Sequence, residues 1–173
     1  MKRRILAIHE SGHAVLAHYA GLKVRKITMD ETGGEITAGF IKDKPTANDA
    51  AAYIYITVAG LIAQALDFGD ELWELYSKGE VTRSDDYKKL QELEICKHLT
   101  KHQFVQMLKD VETYLSTPTI WGKVDFLADE IIDHPKGDLP EEVWVLLGRC
   151  QRQRTPEYKA TRMVSFLADR LFN

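Results

Sequence analysis

Apolar residues recur at helical spacing along most of the chain, with one short interruption near its start. Between residues 3 and 19 they follow the i, i+3, i+4 period of a helix that buries one face. Two runs rich in β-branched residues come next, at 23–29 and 35–41, and the turn-forming segment 30–34 joins them. The pattern therefore predicts a helix followed by a β-hairpin.

The helical period returns after Pro45 and continues through the rest of the sequence. It predicts an alanine-rich helix over 48–66, a loop over 68–83 and a long helix over 84–115 that Ser84 caps. Further helices are expected over 118–133, after Pro140 and over 156–172. We expect a mostly α (α+β) fold, with a two- to three-stranded sheet after the first helix and then a helical bundle. Residues 1–173 are expected to form one domain, the alternative being a helical subdomain from about residue 116.

Composition narrows the class of protein. The chain is 45% hydrophobic and 28% charged, with a formal net charge of −3, which is typical of a soluble globular protein. That balance gives no support for nucleic acid as a partner. Two cysteines, Cys96 and Cys150, are too few for a disulfide framework, so a cytoplasmic location is expected.

The sequence shows no pattern typical of a membrane span, a signal peptide or an ATPase. The most apolar stretch, 50–63, is shorter than a membrane span, and the apolar run after the basic N-terminus stops at His9. A P-loop, the glycine-rich phosphate cradle of ATPases, is also missing. We therefore expect no membrane span and no ATPase motor.

The sequence His9-Glu10-Ser11-Gly12-His13 matches the pattern H-E-x-x-H within the first predicted helix. Residues four apart are separated by about 40° around a helix, so His9 and His13 share a face and can bind one ion. Glu10 lies about 100° from His9, where a carboxylate can reach an activated water without being a ligand. This arrangement predicts a zinc site with Glu10 as general base.

A third ligand has to come from elsewhere in the chain. Leu16 and Tyr19 stand where a metzincin motif requires glycine and histidine. His18 lies about 180° from His9 around the helix and cannot reach the same ion. Asp85 and Asp86 begin a later helix behind a loop, a location that suits a ligand brought in from a distance, and the spacing does not choose between them.

Several segments together resemble the M41 peptidases, the proteolytic domain of the FtsH membrane proteases. They are residues 8–14, strand 24–29 with Gly39-Phe40, helix 58–66 and segment 82–87, and the likeness extends over about residues 4–145. The resemblance implies a zincin-like fold and Zn²⁺ bound by His9, His13 and Asp86, with Asp85 at the family's asparagine. It also implies a stand-alone relative that lacks the ATPase and membrane segments of the FtsH proteases.

The resemblance implies a zinc-dependent metalloendopeptidase that acts on flexible or unfolded polypeptides, with a separate ATPase or adaptor as a further partner. The chain departs from the family at Leu61, Gln64 and Ala65, where the family helix carries an arginine and acidic residues. Acidic groups of this kind orient ligating histidines. The alternative is therefore a catalytically inactive, metal-stabilised interaction module; in a third interpretation the histidines are structural and bind no metal.

Two glycines inside predicted helices carry a further expectation. Gly12 lies between the two histidines, and its lack of a side chain predicts that another segment approaches closely beside the metal. Gly60 has two equally open interpretations: another segment approaches it closely, or the glycine is tolerated sequence variation without a role. The second strand, around 37–41, either presents an edge to a substrate peptide or only covers the core.

Overall fold

The computed structural model describes residues 2–20, 22–30, 33–39, 47–69, 85–92 and 100–145. Within these residues, helix α1 is followed by a β-hairpin and further helices, in the order α1 (Lys2–Tyr19), β1 (Lys23–Met29), β2 (Gly34–Gly39), α2 (Ala47–Phe68), α3 (Asp85–Glu92), α4 (Lys101–Leu115) and α5 (Pro118–Asp133). Residues 141–145, after Pro140, are helical as well. The prediction of a mostly helical α+β fold with a small sheet is confirmed. The helix expected over 156–172 lies outside the described residues, and the single-domain assignment stays a prediction.

Helices α1 and α2 pack closely and form the centre of the core. Gly12 of α1 lies against the backbone of α2: a Cβ at this position would be 2.6 Å from the carbonyl oxygen of Ala59 and 2.6 Å from Ala63 Cβ. No real Cβ approaches backbone oxygen so closely, so a larger residue would force the two helices apart. The close approach predicted for Gly12 is the packing contact that brings α2 onto the histidine-bearing helix.

Gly12→Ala is expected to destabilise the protein by about 1–3 kcal/mol, because the added methyl group overpacks the α1–α2 contact. The matched control is Gly122→Ala on α5, where a Cβ meets nothing within 4 Å. There the better helix propensity of alanine should raise stability by up to about 1 kcal/mol. Denaturant titration of both variants measures the two effects; equal stabilities would contradict the close packing at Gly12.

The β-hairpin lies beside α1 and has a fixed register. Ile27 pairs with Ile36 and Met29 pairs with Gly34 in an antiparallel ladder. The turn is held by Asp30, whose N–H donates to Gly33 O at 2.8 Å and whose Oδ1 accepts from Gly33 N at 2.9 Å. The second strand was expected to begin at residue 35 and begins at Gly34.

The outer edge of β1 is covered by the loop after α5. The N–H of Met29 donates to Pro135 O at 2.8 Å, and Gly137, with φ of 85°, lies against Ile27 O. The sheet of the described residues has two strands. Its edge along β1 is thus occupied by a loop, whereas the edge along β2 pairs with no described strand.

The prediction of one continuous helix over 84–115 was wrong. Helix α4 begins after Thr100, whose extended backbone angles (φ −70°, ψ 157°) interrupt the predicted helix. Thr100 and Gln103 form a capping box: Thr100 N–H donates to Gln103 Oε1 at 2.9 Å, and Gln103 N–H donates to Thr100 Oγ1 at 3.2 Å. This reciprocal pair satisfies backbone donors that only a helix start leaves open.

Helix α5 packs against α1 and completes the core around the site. Arg4 of α1 forms ion pairs with Asp125 and, at 2.8 Å, with Asp129 of α5. The partly buried side chains of Trp121 and Trp144 pack against the hydrophobic core. Among the helices of the described ranges, none combines the length and apolar character needed to cross a membrane.

Candidate metal centre

Helix α1 supplies two histidines whose rings meet. His9 and His13 are one turn apart, their ring centroids are 4.6 Å apart and the ring planes are inclined by 84°. Their Nε2 atoms are separated by 3.0 Å. The shared face that the H-E-x-x-H spacing predicts is therefore present, and both Nε2 atoms point to one place.

The first turn of α3 brings a carboxylate to the same place. Asp86 Oδ2 lies 3.0 Å from His9 Nε2 and 3.2 Å from His13 Nε2. Asp85, its neighbour, is exposed and forms an ion pair with Lys88 at 2.7 Å. Of the two aspartates that the spacing left open, the structure brings Asp86 to the histidines, which is the residue that the family resemblance implied.

The triangle formed by these three atoms has the size of one face of a tetrahedral zinc site. Its edges are 3.0, 3.0 and 3.2 Å. Zinc bonds of 2.0–2.1 Å in a tetrahedron place neighbouring ligand atoms about 3.3 Å apart. The donor set of two imidazoles and one carboxylate also suits Zn²⁺. The residues therefore fit a zinc ion, with one coordination position left for water or substrate.

Hydrogen bonds behind the rings orient the histidines for ligation. His13 Nδ1 lies 2.6 Å from Ile56 O, and His9 Nδ1 lies 3.1 Å from Gln64 Oε1. A carbonyl oxygen only accepts, so His13 Nδ1 carries a proton and, in the neutral ring, Nε2 presents its lone pair. The lone pair of His13 Nε2 and the carboxylate of Asp86 then lie close together, and a cation bound between them would be stabilised.

The pKa values of His13 and Asp86 are both shifted in the direction that favours a positive charge beside the Asp86 carboxylate. Burial disfavours the charged form of His13, but the hydrogen bond and the charge of Asp86 outweigh this and raise the pKa of His13. Burial likewise opposes ionisation of Asp86, yet hydrogen bonds from His13 and His9 lower the pKa of that carboxyl well below its usual range. A carboxylate held ionised beside two imidazoles is ready to bind a metal.

Helix α2 contacts the ligating atoms through a glycine. A Cβ at Gly60 would lie 2.7 Å from both Cε1 and Nε2 of His9, and it would also contact His13 Nε2. A side chain at this position would therefore collide with both imidazole rings. Of the two interpretations left open for Gly60, the structure supports a close approach beside the candidate metal site.

The three candidate ligands open into a cavity of about 550 Å³. Its walls combine the centre with residues of α1, β2, α2 and α3: Leu6, His9, Glu10, His13, Ala17, Leu22, Gly34, Glu35, Ile36, Tyr53, Ile56, Thr57, Gln64, Asp85 and Asp86. Glu10 is only 5% exposed, and Gly34 of β2 lies directly against its carboxyl group. The residue pattern did not point to Gly34, because its contact with Glu10 follows from the register of the hairpin.

No family model, curated protein or solved structure matches this chain. The likeness to the M41 peptidases therefore rests on the sequence motifs, and membership of that family stays a prediction. The candidate centre stands independently of it, because the positions of His9, His13 and Asp86 come from the structure.

Gln64 stands where the M41 family helix carries an acidic residue, and in the structure it contacts His9 Nδ1. Gln64→Glu is expected to raise zinc affinity roughly tenfold, because a carboxylate accepts the Nδ1 proton more strongly and makes the ligating nitrogen more basic. Gln64→Ala, which removes the acceptor, should lower the affinity. Competition with a chromophoric chelator measures both variants; an unchanged or lower affinity of Gln64→Glu would show that the contact does not tune the metal.

Proposed function

We propose that the chain is a zinc metalloendopeptidase that hydrolyses peptide bonds in flexible or unfolded polypeptides. The observation that carries the proposal is that His9, His13 and Asp86 converge in the same open cavity that holds Glu10. A zinc ion bound there would polarise a peptide carbonyl and lower the pKa of a coordinated water to about 7.

Each residue of the centre has a separate role in this proposal. His9 and His13 bind the metal through Nε2, and the acceptors Gln64 Oε1 and Ile56 O keep their rings in the ligating orientation. Asp86 supplies the third ligand and one negative charge. Glu10 is the general base: it takes a proton from the attacking water and passes it to the nitrogen of the leaving peptide.

Strand β2 is the element that would hold the substrate backbone. Asp30 N donates to Gly33 O, so these two residues form a hydrogen-bonded pair at the turn. Met29 N–H donates away from β2, to Pro135 O. Met29 and Gly34 are therefore a non-hydrogen-bonded pair of the ladder. The backbone N–H and C=O of Gly34 then face the edge of β2 that pairs with no described strand. By the same alternation those of Ile36 do so too, and both residues line the cavity.

An extended polypeptide could therefore add to β2 as a further strand and pass over the centre. Such binding uses backbone hydrogen bonds and requires an extended chain, which favours unfolded or flexible substrates. A separate ATPase or adaptor that delivers unfolded polypeptide fits this requirement.

The proposal is tested with the purified chain. We expect one zinc per chain, hydrolysis of unfolded casein, loss of hydrolysis after the metal is removed by a chelator, and recovery when zinc is returned. Absence of stoichiometric zinc, with His9→Ala and Asp86→Ala as stable as the wild type, would rule out a metal centre. Stoichiometric zinc without hydrolysis would instead favour the inactive, metal-stabilised interaction module.

A further inference from the structure

Gly34, the first residue of β2, is in contact with the side chain of Glu10. A Cβ at Gly34 would lie 2.5 Å from Glu10 Oε1 and 2.6 Å from Glu10 Cδ. The described glycines with positive φ are Gly69 and Gly137, so the backbone of Gly34 is one that any residue can adopt. A methyl group at Gly34 would therefore displace the carboxyl group of Glu10 and would not strain its own backbone.

The hairpin cannot move Gly34 away from Glu10 without losing hydrogen bonds. Gly34 is opposite Met29 in the ladder, and the turn beside it is closed by the two bonds between Asp30 and Gly33. On the far side of β1, Met29 is tied to Pro135. These hydrogen bonds hold the backbone of Gly34 in place where it lines the cavity.

Glu10 is held in place at its backbone and at its carboxyl group. Its backbone lies in α1 between the two histidines, and its carboxyl group lies against Gly34. We infer that Gly34 is a positioning residue, which fixes the carboxylate of Glu10 in the orientation that the general base needs. This inference rests on the proposed function. A misplacement of about 1 Å in a catalytic group can cost roughly 100-fold in rate.

The test compares Gly34→Ala with Gly33→Ala, a neighbouring glycine where a Cβ meets nothing within 4 Å. For Gly34→Ala we expect stoichiometric zinc, a KM within about twofold of the wild type and a kcat at least roughly tenfold lower. Gly33→Ala should keep the kcat of the wild type. A Gly34→Ala enzyme with unchanged kcat, or one that loses kcat only because it loses zinc, would overturn the inference.

A second measurement does not depend on turnover. In protein labelled with ¹³C at glutamate carboxyl carbons, the Glu10 resonance is assigned by its loss in Glu10→Gln. We expect it to shift in Gly34→Ala and to stay in place in Gly33→Ala, with or without zinc. If the wild type is inactive, the proposed function fails, while this resonance still decides whether Gly34 fixes Glu10. An unmoved resonance in Gly34→Ala would overturn the inference.

A double-mutant cycle covers the case in which Gly34→Ala folds poorly. Glu10→Ala removes the carboxyl group that the new methyl would meet. Gly34→Ala should then lower the thermal midpoint in the wild-type background and leave it nearly unchanged in the Glu10→Ala background. An equal loss in both backgrounds would show that Gly34 acts on the hairpin alone and would overturn the inference.

Discussion

Gly60→Ala is expected to abolish stoichiometric zinc binding. The added methyl group would lie 2.7 Å from His9 Nε2 and would also contact His13 Nε2, so it would push both imidazole rings out of their present positions. Helix α2 cannot withdraw to make room, because it is packed against Gly12 through Ala59 and Ala63. We expect the zinc affinity to fall by at least about 100-fold, since the obstruction is at the ligand atoms and not behind them.

The control for this variant is again Gly122→Ala, which makes the same exchange within a helix at an open position. It should retain full zinc content, as measured by metal analysis after dialysis. The folded state of Gly60→Ala is checked by circular dichroism, because alanine itself favours a helix. A folded Gly60→Ala protein that binds zinc as tightly as the wild type would show that the methyl group does not displace the ligating rings.

Glu10→Gln is expected to lower the rate of peptide hydrolysis by roughly 10³-fold or more while zinc stays bound. The amide has the size of the carboxyl group but cannot accept the proton of the attacking water. Zinc should remain, because the ligand atoms belong to His9, His13 and Asp86. The measurement is the initial rate on unfolded casein together with the metal content of the same sample.

Glu35→Gln is the matched control for Glu10→Gln. Glu35 is a second glutamate that lines the same cavity, so its replacement changes the charge by the same amount without touching the candidate general base. Its rate should stay within about threefold of the wild type. If Glu10→Gln cleaved casein as fast as the wild type, the assignment of Glu10 as general base would be wrong.

Local spacing was sufficient to predict two of the three candidate ligands, His9 and His13. His9 and His13 share a face because residues four apart always do so on a helix, and α1 is formed as predicted. The third ligand depends on how α3 meets α1, and this is a tertiary contact that spacing does not encode. The residue pattern left both Asp85 and Asp86 open, and the family resemblance pointed to Asp86.

Other features of the site follow only from packing. Ile56 contributes a backbone carbonyl, so its side chain gives no signal of the contact with His13. Gly34 reaches Glu10 because of the register of the hairpin, which the predicted strand ranges 23–29 and 35–41 did not specify. The break between α3 and α4, in contrast, had a readable signal, since Thr100 followed three residues later by Gln103 is a capping-box pattern.

The ligand triangle joins two parts of the chain that are far apart in sequence. His13 belongs to the first helix, whereas Asp86 belongs to α3, a helix of only eight residues. An ion at this point would tie these two segments together in the folded chain and would be released on unfolding, because the unfolded chain does not hold the three ligands together. The free energy of unfolding would then rise with the logarithm of the free zinc concentration. Zinc supply would thus govern the stability of the folded protein as well as the proposed hydrolysis.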